Sequence, residues 1–253
     1  MKRRNFLQLS AIAGVGLSLP MSGLLQSCTD HPEHSLEFKN LISGLLKDWS
    51  DGMLKVQINN SANLDEHGAL GCPSCSHIHG RCMDAVYPFL YMADKTGDKK
   101  YIEGAKLVML WAENNVSQEN GAWTVIKNPK SWKGITVFGA IALAEALHYH
   151  GHILDEETRV AWTKRLEKAG QYIYNTFTID FTNSNYPGTA VYGLNLIGNV
   201  VKRDDFKAKS KKLASEVKTY FTANEGLLFG ECKKSSSKLS EKGLHGVDLG
   251  YNV

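Results

Sequence analysis

The sequence predicts an all-α protein, built from helix pairs that form part of an (α/α)6-type toroid. Apolar residues recur at helical spacing in paired segments, and the first segments of the pairs start near residues 84, 135 and 188. Each first segment is apolar nearly all round, whereas each second one carries Lys, Glu and Asp on one face. We therefore expect an inner ring of buried helices and an outer ring of half-exposed ones. Few stretches alternate with period two, so little β-sheet is expected.

The predicted elements begin with a single helix over residues 36–49. Three pairs follow, at 84–95 with 100–114, at 135–149 with about 155–176, and from near Gly188 with 206–221. A closed ring of six pairs needs about twelve helices, roughly five more than the sequence contains. We therefore predict a short linker at 28–35 and, over 36–253, the N-terminal portion of a toroid domain that is truncated at its C-terminal end.

Residues 1–27 have the order of an export signal. Basic residues at Lys2, Arg3 and Arg4 precede an uncharged, mostly apolar stretch from 9 to 25, and Cys28 follows. This order predicts a twin-arginine signal of the lipoprotein type, with lipid attached at Cys28. A transmembrane anchor is the alternative, but the stretch is short and contains glycines. We expect an exported protein, periplasmic or on the surface of a bacterium, that is held at the membrane by its lipid.

The charge balance gives no sign of a nucleic-acid partner. Three of the 29 Lys and Arg residues lie in the predicted signal, and the remaining 26 equal the 26 Asp and Glu residues in number. The basic pI therefore comes from the segment that is removed, and the mature chain lacks the excess of positive charge that binds nucleic acid.

Four segments lead into helices on one predicted face of the scaffold, where loops usually carry function. They span residues 67–82, 123–133, 180–187 and 243–252, and they are rich in Gly, Pro, Asn, His and Trp. The candidates for catalysis are His79, Asp84, His245, Asp248 and Tyr251. The candidates for substrate binding are His77, Arg81, Trp123, Trp132, Asn185 and Tyr186.

Three cysteines, Cys72, Cys75 and Cys82, lie in the first of these segments. Cys-x-x-Cys with nearby histidines could ligate a structural zinc ion. A disulfide is the second interpretation, because an exported protein meets an oxidising compartment. The third is a structural loop with buried thiols. No other cofactor is required.

His77, His79 and Arg81 alternate along the chain just before the first inner helix. If this stretch is extended, their side chains point the same way. Arg81 would lie near a helix N-terminus and could grip a carboxylate with two hydrogen bonds. Arg81 could instead pair with Asp84 or Asp248 and brace the loop. Trp123 and Trp132 could stack on sugar rings or pack in the core.

The turn Thr96-Gly97-Asp98-Lys99-Lys100-Tyr101, together with the helix-pair period, resembles six-hairpin glycan-degrading enzymes. These include heparinase II/III-like polysaccharide lyases and related glycoside hydrolases. The stretch from Cys72 to Arg81 resembles exported β-glucuronidase-type members of that group. The resemblance covers about residues 36–253, and it implies an enzyme that cleaves uronic-acid-containing glycans. Such enzymes continue with more toroid and a β-sandwich domain.

Two chemistries remain open for such an enzyme. A β-glucuronidase-type hydrolase needs a carboxyl pair, for which Asp84 and Asp248 are the candidates. A lyase needs a group that neutralises the uronate carboxylate, plus a base and an acid. Arg81 or His79, with His245 and Tyr251, would supply them. The resemblance favours the hydrolase, and a non-catalytic glycan-binding lipoprotein or inactive fragment is a third class.

Overall fold

The computed structural model describes residues 32–220, with side chains from Leu36 onward. The chain divides into two compact units, one up to Leu45 and one from Leu46 onward. In the first unit the structure describes the beginning of helix α1, which spans Pro32–Val56. Within the described range, no helix is both long and apolar enough to cross a membrane. The predicted signal and its lipidation site Cys28 lie outside that range, as does the fourth loop with His245, Asp248 and Tyr251.

The second unit contains three helix pairs in series, which confirms the predicted fold class. The pairs are α2 (Val86–Thr96) with α3 (Lys99–Asn115), α4 (Thr136–His150) with α5 (Glu156–Thr176), and α6 (Asn185–Val200) with α7 (Asp204–Val217). Short 3-10 helices lie at Gly80–Ala85, Gly151–Ile153 and Lys218–Tyr220. Residues 32–220 contain isolated β-bridges but no named strand.

The inner helices α2, α4 and α6 pack on each other in sequence, and each also packs on the outer helix that follows it. Small residues permit this close packing. A Cβ at Gly139 of α4 would lie 2.8 Å from the Met83 sulfur of the preceding 3-10 helix. The core runs through all three pairs, with Phe89, Leu143, Ile197 and Phe206 fully buried. The segments that lead into the inner helices therefore sit on a rigid support.

Helix α6 begins at Asn185, three residues before the predicted start at Gly188. Pro187, which the sequence suggested was part of the loop, is the third residue of this helix. An N–H in the first turn has no partner within the helix, so a proline is accepted there. The earlier start brings Asn185 and Tyr186 onto the first turn of an inner helix.

Candidate functional site

The first loop is a small hairpin whose base is tied to the core. Gly71 pairs with Ile78 in an antiparallel bridge, and Gln57 pairs with Leu70. After the hairpin, the Gly80 N–H donates to Val125 O at 2.6 Å. A Cβ at Gly80 would lie 2.0 Å from the Thr124 carbonyl oxygen, so this contact requires a glycine. The first and second loops are therefore joined backbone to backbone, directly before Arg81.

His79 has a structural task that the sequence did not indicate. It is the N-cap of the 3-10 helix, and its Nδ1 accepts a hydrogen bond from the Arg81 N–H at 3.0 Å. Burial, and then the positive charge of Arg81, lower the pKa of His79. The ring is thus neutral near pH 7, and we assign its proton to Nε2. Its Nδ1 is engaged as a cap, so only Nε2 could act on a ligand. His77 is exposed on the hairpin.

Arg81 lies between a carboxylate and an aromatic ring. Its Nε donates to Asp84 Oδ2 at 2.6 Å, and its guanidinium carbon lies 4.5 Å from the centre of the Phe138 ring. Burial raises the pKa of Asp84, and the charge and hydrogen bond of Arg81 oppose this in part. The Arg81 side chain is 48% exposed. The predicted bracing of the loop by an Arg81–Asp84 pair is therefore present, and the terminal nitrogens of Arg81 remain available to an anionic ligand.

An aromatic patch continues from Arg81 across the open ends of α4 and α6. We use this name for Trp132, Phe138, Phe181 and Tyr186. Trp132 stacks on Phe181 with ring centres 5.5 Å apart, and its Nε1 donates to Tyr186 Oη at 3.2 Å. Phe138 and Tyr186 have ring centres 5.6 Å apart. Trp132 remains 43% exposed. The structure thus brings three predicted binding residues, Arg81, Trp132 and Tyr186, to one surface.

Gly134 supports the position of the Trp132 ring. A Cβ added to Gly134 would lie 2.3 Å from Cζ2 of the indole. Any other residue at 134 would therefore displace the ring. Asn185, the remaining binding candidate of the third loop, accepts a hydrogen bond from the Tyr186 N–H through its Oδ1 at 3.0 Å. It lies beside the aromatic patch and positions the first turn of α6.

Trp123 is a core residue, and the prediction that it stacks on a sugar is wrong. Its side chain is fully buried. Its Nε1 donates to Glu113 Oε1 at 3.1 Å, and the Arg165 guanidinium carbon lies 3.7 Å from the centre of its ring. Arg165 also donates to Glu113, from Nε at 2.7 Å. Trp123 therefore joins outer helices α3 and α5 to the second loop.

A tyrosine cluster around Glu145 is a feature that the sequence analysis missed. Tyr192 donates to Glu145, and this hydrogen bond, with burial, raises the pKa of Tyr192 to about 12. Burial, and then the charge of Glu145, raise the pKa of Tyr87 as well. Tyr149 lies close enough to both tyrosines to contribute to these shifts. The Tyr87 and Tyr192 phenols are therefore protonated at neutral pH and can donate hydrogen bonds.

The tyrosine cluster and the aromatic patch share one face of α4. Phe138, Glu145 and Tyr149 are separated by seven and four residues, spacings that place side chains on the same side of a helix. The feature of the sequence that could have indicated this cluster is Glu145, the one acidic residue of helix α4. The available surface thus extends from Arg81 along α4 to Tyr149, with Tyr87 and Tyr192 beside it.

The three cysteines do not form one group. Cys82 is buried, and its thiol donates to Leu70 O at 3.4 Å, whereas Cys75 is exposed and Cys72 partly exposed on the hairpin. Within residues 32–220 no group of three or more His, Cys, Asp and Glu side chains could hold a metal ion. The three cysteines are free in the structure. The zinc prediction gains no support from this arrangement, and metal analysis would test it.

Comparison with solved structures finds a similar fold in two proteins. A polysaccharide lyase superposes with a TM-score of 0.52 at 13% identity, over 66% of this chain and 54% of that chain. A glycosyl hydrolase of family 88 from Bacteroides vulgatus superposes with a TM-score of 0.50 at 14% identity, over 58% of this chain and 51% of that chain. At these identities the likeness shows the fold alone.

The family itself is shown by sequence. A family model described as the ulvan lyase N-terminal domain matches residues 46–253, so the chain belongs to that family. A broad-specificity ulvan lyase of Formosa agariphila is 74% identical over all 253 residues of this chain. The chain spans 40% of the length of that relative. The matched region starts where the second compact unit starts, at Leu46.

Proposed function

We propose that this chain is the N-terminal part of a polysaccharide lyase that cleaves uronic-acid-containing glycans by β-elimination. The observation that carries the proposal is the 74% identity to a broad-specificity ulvan lyase over the whole chain. The resemblance inferred from the sequence favoured a hydrolase. The lyase, which was the alternative, now has the stronger support.

The chemistry of the available surface also supports a lyase. β-Elimination removes the proton next to the uronate carboxylate, breaks the bond to the leaving glycosidic oxygen and forms a carbon–carbon double bond. It needs a cation that stabilises the carboxylate as charge develops, and groups that accept and donate protons. Arg81 offers the cation, and the protonated phenols of Tyr87 and Tyr192 offer proton donors.

The same residues fit the chemistry of a hydrolase less well than that of a lyase. It needs a carboxyl pair free to act as acid and as base or nucleophile. Of the carboxylates on this surface, Asp84 accepts a hydrogen bond from Arg81 and Glu145 accepts one from Tyr192, so neither is without a partner. His245, Asp248 and Tyr251 keep their predicted roles as proposals.

Product analysis tests the proposal. The full-length gene product is incubated with ulvan and, as a matched control, with ulvan whose uronic carboxyl groups have been reduced to alcohols. We expect products with the ultraviolet absorbance of an unsaturated uronate from the first polymer and none from the second. Shorter products without that absorbance would establish hydrolysis. Binding without any cleavage would establish the third class, a glycan-binding protein.

Location is a separate part of the proposal. We propose that residues 1–27 direct export and that the mature chain carries lipid on Cys28. Two or more acyl chains hold a protein firmly at a membrane. The mature protein should therefore fractionate with membranes, and Cys28→Ala should block processing or release the protein. Unchanged processing and attachment in this variant would refute lipidation.

A further inference from the structure

We propose that Cys72 and Cys75 form a reversible redox pair, which closes to a disulfide within the hairpin while Cys82 stays reduced. The proposal concerns a site that the elimination chemistry does not use, and it stands or falls independently of the proposed function.

The hairpin already holds the two cysteines in position. The Cys72 N–H donates to His77 O at 3.1 Å, and the Ser76 N–H donates to Cys72 O at 2.8 Å. Ser76 has a φ of 53°, in the left-handed region, which turns the chain back toward Ile78. The bridge between Gly71 and Ile78 closes the loop. Residues 73–75 form the turn that the Ser76–Cys72 bond closes, so the backbones of Cys72 and Cys75 lie close enough for a disulfide to join them after a local movement.

The exposure of the three cysteines separates the hairpin pair from Cys82. Cys75 is exposed and Cys72 is partly exposed, whereas Cys82 is buried. An oxidant in solution therefore reaches Cys72 and Cys75, and burial protects Cys82.

The reaction balances with a small-molecule disulfide as oxidant. The Cys72 thiolate attacks one sulfur of oxidised glutathione, which forms a mixed disulfide and releases one molecule of glutathione. Cys75 loses its proton and attacks the Cys72 sulfur, which forms the Cys72–Cys75 bond and releases the second glutathione. Both cysteines are oxidised by one electron each, and the two protons pass to the two glutathione molecules.

A disulfide between Cys72 and Cys75 would affect the segment that leads into the candidate site. The hairpin ends at Ile78, one residue before the cap His79 and three before Arg81. A covalent closure of residues 72–75 restricts the segment that leads into the candidate site. Oxidation is therefore expected to reduce hydrogen exchange of the backbone amides of residues 72–79.

The test is thiol mapping of the mature full-length protein after equilibration with glutathione buffers of defined ratio. Free thiols are alkylated under denaturing conditions, and the peptides are identified by mass spectrometry. We expect Cys72 and Cys75 to lose reactivity together, with a mass lower by two hydrogen atoms, while Cys82 remains alkylated. In Cys75→Ser the mixed disulfide should persist at Cys72, because the second thiol is missing. Cys82→Ser is the matched control and should close the pair as the wild type does.

Three outcomes would overturn the proposal. The first is that Cys72 and Cys75 stay reduced at every ratio. The second is that either cysteine pairs with Cys82 or Cys232 instead. The third is stoichiometric zinc on the purified protein that is released when both thiols are alkylated, because the pair would then be a metal ligand.

Discussion

The Nε of Arg81 donates a hydrogen bond to Oδ2 of Asp84, three residues later in the chain, at a distance of 2.6 Å. This contact uses one edge of the guanidinium and turns the planar group over Phe138. The two terminal nitrogens of this half-exposed side chain make no hydrogen bond to the described residues. One residue thus braces the loop and presents a positively charged edge, two roles that were alternatives in the sequence.

Replacing Arg81 by Lys should impair activity on uronate-containing glycans more than it impairs folding. An ammonium can keep the ion pair with Asp84 but cannot also offer two parallel donors to a carboxylate. We expect a loss of about 1.5–3 kcal/mol, or roughly 10- to 150-fold in kcat/KM. Arg159→Lys is the matched control, because Arg159 is similarly exposed and also pairs with an acid three residues away, Glu156. Equal kcat/KM for the two variants would remove Arg81 from substrate binding.

Asp84 should make the free energy of unfolding fall as pH rises. Its pKa is raised in the folded protein, so the folded state holds the proton more tightly than the unfolded state does. This contribution is fully present below the ordinary aspartate pKa of about 4 and is lost as pH rises to the raised value. Asp84→Asn cannot titrate. The melting temperature of wild type relative to this variant should therefore decrease across that range and then level off. A difference that stays constant with pH would contradict the raised pKa.

Tyr192→Phe should lower kcat without unfolding the protein, if a phenol of the tyrosine cluster donates the proton to the leaving oxygen. Losing a general acid costs on the order of 100-fold or more. Tyr174→Phe on outer helix α5 is the control, because Tyr174 packs on Phe206 away from the cluster. Wild-type kcat in Tyr192→Phe, measured on the full-length product, would exclude this hydroxyl from proton transfer.

The two tryptophans should respond in opposite ways to replacement by alanine. Trp123→Ala should destabilise folding by about 3–5 kcal/mol, because it empties a buried site and removes the ring that Glu113 and Arg165 both contact. Trp132→Ala should leave the melting temperature nearly unchanged and raise KM by on the order of tenfold through lost stacking. Melting curves and initial rates separate the two, and a KM unaffected in Trp132→Ala would argue against sugar stacking.

Gly134→Ala tests the position of the Trp132 ring without removing it. The added methyl group would occupy the space of the indole, so the ring must move. We expect KM to rise toward the value of Trp132→Ala while the tryptophan fluorescence shifts. Gly188→Ala is the control, since a Cβ there has no neighbouring atom within 4 Å. An unchanged KM in Gly134→Ala would mean that the ring position is not important for binding.

The helix pairs could be predicted because each apolar segment is continuous along the chain. The roles of Trp123 and Trp132 could not. Both lie in the same loop, but Trp123 contacts Glu113 and Arg165 on the outer helices, whereas Trp132 contacts Phe181 and Tyr186 at the third loop. Tyr87 and Tyr192 lie in helices that the sequence predicts to be apolar, so no functional role was predicted for them. Their partner Glu145 lies on a third helix, so no local pattern indicates the cluster. His79 was correctly placed near Arg81, but its capping bond depends on backbone geometry that spacing does not reveal.

The exposed face of helix α4 carries a positive charge near one end and a negative charge near the other. Arg81 lies against Phe138 at one end, and Glu145 lies two helical turns further along, about 10 Å away by the rise of the helix. A polyanion laid along this face is attracted at the first end and repelled at the second. Each shift of such a polyanion by one sugar moves its carboxylates relative to both ends, so the possible binding registers differ in energy before any specific hydrogen bond forms.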